Sequence, residues 1–410
     1  MAACDSSLQT LSWETESSWA EDVDTMTTGI TPNAPVATDG ISQPMLEPER
    51  VVGSRLDWTN GVPGAYQDVR ISWSEYATGH GSATTGATSA NNLALTLART
   101  LGGSGVGAPA GDTLSGGTVT IPTTTTASGS NQIVAGGLVR IGAHGDGDGE
   151  GQFYRVVSHS GSNLTVANDL AGAPVNGAQL YSASLAYPAA SACAITGTRV
   201  RLQTADQQAI LHGGFPVEFG FAIDPGQPGR FTQGYQFSWV EPSTATFPTT
   251  PTADTFSPSP WTADGSCFFN QVGTTTRALL SLRAFSMNYS LGMSPVPGGS
   301  GVNGYQLFTG ATRTKDTCVI NFTVDAEGVD TTPTWWDRWL SNGSWHMMIT
   351  FNAKATQALG VYFPNLCFTG QRPWQSTMNG RNVVNVSMYA KGGQTTTTDL
   401  TRAPVVFAFS

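Results

Sequence analysis

Polar and apolar positions along this chain alternate mostly with a period of two. Residues 66–76, YQDVRISWSEY, place Val69, Ile71 and Trp73 at alternate positions. β-Branched and aromatic residues in that pattern predict a strand with one buried face. From residue 192 such segments dominate. ACAITGTRVRLQ, GGFPVEFGFAID, GRFTQGYQFSWVEP, CFFNQVGT, ALLSLRAFSMNYSLGM, DTCVINFTVDAEG, WHMMITFN, ALGVYFPNLCFTG, RNVVNVSMYAKGG and PVVFAFS alternate or run apolar. Helical spacing is confined to two places. In NNLALTLARTLGG, Leu93, Leu97 and Leu101 recur every four residues and Gly102 follows as a stop, predicting a short amphipathic helix. TPTWWDRWLSNG predicts a second, opened at Pro333 or Thr334 and closed by Gly343.

The pattern also divides the chain. Residues 104–187 begin with the linker-like SGVGAPAGDTLSGG and continue with short strand candidates separated by Gly-rich turns: GTVTIP, GGLVRIG, GQFYRVVSHSG, SNLTVAND and AQLYSASLAY. Closely spaced short strands predict a small β-barrel or β-sandwich inserted into a parent domain made of residues 1–103 and 188–410. The insert is expected to face outward and fold independently, so that deleting 108–185 leaves a folded protein. Residues 1–35 read as an acidic arm. Two long loops, 29–65 and 242–264, are expected to touch neighbouring subunits. The second holds Pro242, Pro248, Pro251, Pro258 and Pro260, which exclude a helix or a central strand.

Composition sharpens this reading. Charged residues make up 12% of the chain, about half the usual share of a soluble domain, which argues for faces buried against neighbours over a weakly charged monomer. The net charge is −10. Residues 1–50 hold nine acids against Arg50, a net −8. Such a segment repels phosphates and argues against tight nucleic-acid binding. Cys4, Cys193, Cys267, Cys318 and Cys367 form no CxxC pair, so zinc is not expected, and reduced buried thiols are. No signal peptide and no membrane-spanning run is read, which favours folding and assembly in a cytoplasm.

Candidate chemistry is sparse. In GAHGDGDGEG, Asp146, Asp148 and Glu150 alternate like early calcium ligands, but Val157 stands where an EF-hand loop needs its last Glu, so an acidic turn is the plainer reading. His80, His144, His159, His212 and His346 form no HxH or HExxH. No nucleophile–base–acid set, P-loop or dinucleotide fingerprint is present, so neither an enzyme nor a cofactor is expected. Trp335 and Trp339, four apart in WWDRW, could stack sugars or bases, with core or subunit packing as the simpler role.

The order of these parts resembles the tail tube proteins of long-tailed, non-contractile phages. The resemblance rests on LSWETESSWAED, a strand followed by NLALTLARTLGG, NFTVDAEGVDTTPTWWDRWLSNGSWHMMITF and the C-terminal NVVNVSMYA. It implies a mainly β fold: a tube-forming β-sandwich with one flanking α-helix, here carrying the inserted small β-domain. It further implies hexameric rings of the chain stacked into a tube in the virion tail. Other tail proteins would be partners, and duplex DNA would pass through the lumen without specific binding. Asp68, Glu75, Glu218 and Asp325 are the acids expected to face the lumen, the alternative for each being a solvated charge at a strand end. The rival readings are a capsid decoration protein and a secreted carbohydrate-binding or adhesive β-protein.

Overall fold

The computed structural model describes residues 10–15, 29–30, 37–39, 45–46, 62–63, 69–77, 101–106, 120–122, 133–142, 151–160, 163–167, 180–181, 183–188, 197–203, 208–242, 265–274, 278–302, 305–326, 335–351, 358–393 and 399–409. The fold is mainly β, with large antiparallel sheets. Expectations that lie outside the described residues include the helix before Leu101, the acidic loop 146–150, most of the acidic arm 1–35 and of loop 29–65, the prolines after Pro242, and Asp68, Cys4, Cys193, His80 and His144. Leu101 itself is helical and buried.

The first layer is one open antiparallel sheet. Strands β6 (Val69–Tyr76), β16 (Arg230–Phe237), β15 (Gln208–Ile223), β20 (Leu282–Ser290), β23 (Thr317–Asp325) and β27 (Arg381–Ala390) pair in that order. β3 (Ala37–Asp39) adds to one side against β6, and β26 (Trp374–Met378) adds to the other against β27. The second layer runs β7 (Gly102–Val106), β13 (Ser184–Pro188), β28 (Val406–Phe409), β25 (Leu359–Phe368), β24 (Trp345–Phe351), β18 (Ser266–Gln271) and β19 (Ala278–Leu279). β25 also pairs with the end of β27, so the layers join along that side.

The main core lies between the layers. Phe219, Phe221, Phe231, Ile320 and Phe322 of the first layer meet Phe269, Ile349, Phe351, Val361, Phe363 and Phe407 of the second. The aromatic rings interlock edge to face, with Phe219 and Phe231 each 5.5 Å from Phe407. Helix α1 (Trp335–Leu340) caps this core. Trp335 and Arg338, one turn apart, are its buried residues. The helix ends not at Gly343 but at Asn342, whose φ of 48° takes the left-handed position that Asn tolerates after a last turn.

β15 leaves the first layer at its N-terminal end. Ala209–His212 pair with β17 (Trp239–Pro242), while Phe215–Ala222 pair with β16. Gly213, at φ 61°, and Gly214, where a Cβ would meet Phe237 Cε1 at 2.3 Å, make the bend. A third sheet forms there from β2 (Gly29–Ile30), β1 (Thr10–Thr15), β14 (Thr198–Gln203) and the start of β15, over Leu11, Val200, Leu211, Phe237 and Trp239. β4 (Met45–Leu46) and β5 (Val62–Pro63) pair only with each other among the described strands.

The inserted region forms a five-stranded sheet in the order β12 (Leu180–Tyr181), β9 (Leu138–Gly142), β10 (Gly151–Ser160), β11 (Asn163–Val166) and β8 (Thr120–Pro122). Gly142 pairs with Gly151, so the acidic stretch joins two strands of a hairpin. The inserted sheet packs against the parent sandwich. The stems of the insert, β7 and β13, pair with each other inside the second layer. Leu138 and Phe153 share a core with Phe268, Met348, Tyr362, Val406 and Ala408 on the outer face of that layer. Contact is close enough that a Cβ on Gly360 would meet the Phe153 ring at 2.7 Å. The second layer is therefore covered on both faces, which explains why every residue of WHMMITF is buried.

A ribbon, β21 (Met293–Val302) with β22 (Tyr305–Arg313), extends the hairpin of β20 and β23 and turns back over β15. Phe308 N–H donates to Ser238 Oγ at 2.8 Å, and the Phe308 ring lies 6.3 Å from Phe215. At the base, Tyr289 O–H donates to Asp316 at 2.5 Å, and Arg313 forms an ion pair with the same carboxylate. Gly292 makes the turn at φ 59°, where a Cβ would come within 2.5 Å of Lys315 O. Gly292→Ala should lower the melting temperature and speed proteolysis of the ribbon, since left-handed geometry alone costs a side-chain-bearing residue about 1–2 kcal/mol. An unchanged digestion rate would show that the ribbon is not held from this turn.

Candidate functional site: the open polar face and its tryptophan–arginine rim

Alternation in the first layer puts one set of side chains in the core and the other in the open. β20 reads buried at Phe285, Met287 and Tyr289 and exposed at Ser286, Asn288 and Ser290. Strand register then lines the open set up across the sheet. One row runs Arg230, Ala222, Ser286, Asn321, Ser387, and the next runs Ala284, Thr323, Asn385, Trp374. The face is mostly hydroxyl, amide and small. A shallow cavity of about 430 Å³ lies over it, lined by Ser286, Asn321, Asn385, Ser387, Arg372 and Trp374 among others. Thr323 O–H donates to Asn385 Oδ1 at 2.8 Å and fixes that amide within the row.

At the β26 end of this face stands a stacked trio. The Arg372 guanidinium lies 4.8 Å from the Trp336 ring and 3.9 Å from the Trp374 ring. Trp374 is 61% exposed and Trp336 43%. The trio joins helix α1, the β25–β26 connection and β26. β26 itself follows from the Asn379–Gly380 turn, whose two positive φ angles, 50° and 76°, suit a two-residue hairpin. Sequence reading passed over QRPWQSTMNG. Its NG dipeptide was the available signal for the hairpin, but the stacking of Arg372 on Trp336 is a long-range contact that spacing does not reveal.

The four expected acids are not gathered together. Asp68 lies outside the described residues. Glu75 is buried, accepting Trp73 Nε1–H at 2.8 Å and Gln233 Nε2–H at 3.4 Å, so it offers no charge to an open wall. Its burial has a simple cause: it shares the inward parity of Val69, Ile71 and Trp73. Glu218 is exposed on the open face, lying over Gly234 of the neighbouring strand. Asp325 is on the same face but compensated. Arg283 donates to it through Nε at 2.8 Å and through Nη2, and Arg381 Nη1 is 3.9 Å away. The hydrogen bond from Arg283 holds the Asp325 carboxyl below its ordinary value.

That shift fixes a sign. A lowered folded-state pKa gives stability that is present above the ordinary carboxylate pKa and lost as pH falls through the depressed value. Asp325→Asn should therefore destabilise the protein near neutrality and flatten its stability–pH curve in the acid range. Parallel curves for the two proteins would contradict the assignment.

Elsewhere the candidate groups are structural. Cys267 and Cys318 are buried free thiols pushed far up by burial, and Cys367 is also buried and free. His212 stacks on Trp239 at 4.0 Å and meets Glu241 at 3.2 Å, and His346 lies 3.4 Å from the Tyr362 hydroxyl. Trp335 packs in the core, as the simpler reading of WWDRW holds, but its buried companion is Arg338 and not Trp339. Among the described residues no group of three or more His, Cys, Asp or Glu is placed to hold a metal. Among the described residues no helix is long and apolar enough to cross a membrane. Compared with known proteins, the chain matches no family model and no curated relative.

Proposed function

We propose that this chain is a structural subunit that assembles with copies of itself into a tube, as in the tail of a long-tailed phage, and that it works without catalysis. The observation that carries the reading is the asymmetry of the sandwich. One layer is covered on its outer side by the inserted sheet, while the other leaves an open face of small hydroxyl and amide groups. In a ring, the covered side faces out and the open face lines the channel. A wall of Ser, Thr, Asn and Gly, carrying the exposed Glu218 and the paired Asp325, gives a passing duplex little to bind. This replaces repulsion by a wall of acids, because Glu75 is buried and Asp325 is paired.

Negative-stain microscopy of purified protein at rising concentration tests the reading. Hollow rings or tubes support it, and discrete monomers or trimers favour a capsid decoration role. The cavity over Asn321 and Asn385 beside Trp374 favours a second reading, a neutral-saccharide site. Planar amides and an aromatic rim are the groups that sugar hydroxyls and ring C–H faces use. Screening against immobilised glycans separates the two, since the tube reading expects no retention.

A further inference from the structure

We propose that the cavity on the open face binds an acidic oligosaccharide, with a sugar carboxylate seated on Arg372. The inference rests on the saccharide reading of this cavity and narrows its ligand from a neutral sugar to one that carries a carboxylate. The cavity has unlike ends. Its lining holds one base, Arg372, and one acid, Asp224. Asp224 follows the end of β15, and Arg372 precedes the start of β26. β20, β23 and β27 lie between them. At about 4.8 Å per strand, the steps from β15 to β26 cover about 19 Å, the reach of a short sugar chain and not of a single ring.

Arg372 is held in place and left uncompensated. Its guanidinium lies against Trp336 and Trp374. Stacking uses the face of a guanidinium and leaves its N–H edge for an acceptor in the same plane. Among the described residues no acid forms an ion pair with Arg372. Arg283 and Arg381 share Asp325, and Arg313 has Asp316. A carboxylate fits the free edge with two parallel hydrogen bonds. Because the rings already restrain the side chain, little rotamer freedom is left to lose on binding.

The surrounding groups suit a sugar. Trp374 is 61% exposed even with Arg372 against it, which leaves ring surface for the C–H face of a pyranose. Ser286, Asn321 and Ser387 stand opposite one another on successive strands, so hydroxyl and amide groups recur along the cavity. At the far end Asp224 can accept sugar hydroxyls. The same charge balance argues against a nucleic acid or polyphosphate. One base, with Asp224 in the lining and Glu218 on the same face, neutralises too few phosphates.

The test uses the full-length chain and a panel of soluble oligouronates and sialylated oligosaccharides. Each is paired with its methyl ester, which keeps the rings and removes the charge. Titration calorimetry is expected to find an acid that binds about tenfold more tightly than its ester, the gain of a charge-assisted pair. Added salt should weaken the acid and spare the ester. Arg372→Gln should bring the acid down to the affinity of the ester, with ester binding and the thermal melt unchanged. If that variant melts early, the comparison of acid with ester on the wild type still decides. Equal binding of acid and ester overturns the charged ligand and leaves the saccharide reading standing. An acid preference that survives Arg372→Gln overturns the seat assigned to the carboxylate. Binding of no member of the panel overturns this inference and the saccharide reading together, and leaves the assembly reading untouched.

Discussion

Deleting residues 108–185 should yield an aggregating chain and not a trimmed, folded one. The segment removes all five strands of the inserted sheet and the start of β13. What it uncovers is apolar: Phe268, Met348, Tyr362, Val406 and Ala408 on the outer face of the second layer, with Leu400 and Ala403 beside them. Fully burying a large apolar side chain is worth about 1.5–3 kcal/mol. Four such side chains match the whole stability of a typical domain, about 5–15 kcal/mol. The new surface would also be a contiguous patch on a sheet, a recognised aggregation hazard. A narrower probe keeps the chain entire. Phe153→Ala should cost about 3–5 kcal/mol in a denaturant titration, because the ring fills the space over Gly360 and the cavity cannot easily collapse. A soluble, cooperatively melting deletion protein would show that the second layer does not depend on its cover.

The dependence was legible before the structure. A strand with one wet face alternates, as LRAFSMNYS does, whereas VFAF runs apolar without a break and WHMMITF is broken only at His346 and Thr350. An unbroken run of strand length asks for cover on both faces. The parent sandwich supplies one cover, so the other had to come from the insert. Glu75 was legible in the same way, since the parity that assigns Ile71 and Trp73 to the core assigns Glu75 with them. Parity says nothing about partners across the chain. The pairing of Asp325 with Arg283 and Arg381, and the meeting of Trp336 with Arg372 and Trp374, join residues brought together only by strand order and a docked helix. Burial of Arg338 was equally hidden, because an arginine in a short helix reads as a solvent-facing charge until aromatic rings are found around it.

Trp335→Ala should cost about 3–5 kcal/mol, the usual range for removing a large buried aromatic side chain. Trp335 packs against Phe269, Phe322 and Phe368 at 5.4, 5.7 and 6.4 Å, and Phe269 stacks on Trp345 at 5.1 Å. The Arg338 guanidinium sits 4.8 Å from the Trp335 ring, 5.6 Å from Trp345 and 5.8 Å from Phe269. Removing the Trp335 ring takes away the nearest of those faces and leaves a buried charge with poorer cover, so the loss should fall at the high end of the range. The helix is six residues long, too short to hold its shape without this anchor. Its loosening should free Trp336 from Arg372 and disorder the rim. Trp336→Ala removes the same rim contact but leaves the anchor, and at 43% exposure it should cost little stability. The pair of variants separates docking from display. Both should release Arg372 from its stack on Trp336, but only Trp335→Ala should shift the denaturation midpoint. If Trp335→Ala unfolds at the wild-type midpoint, α1 is not fastened to the core through this ring.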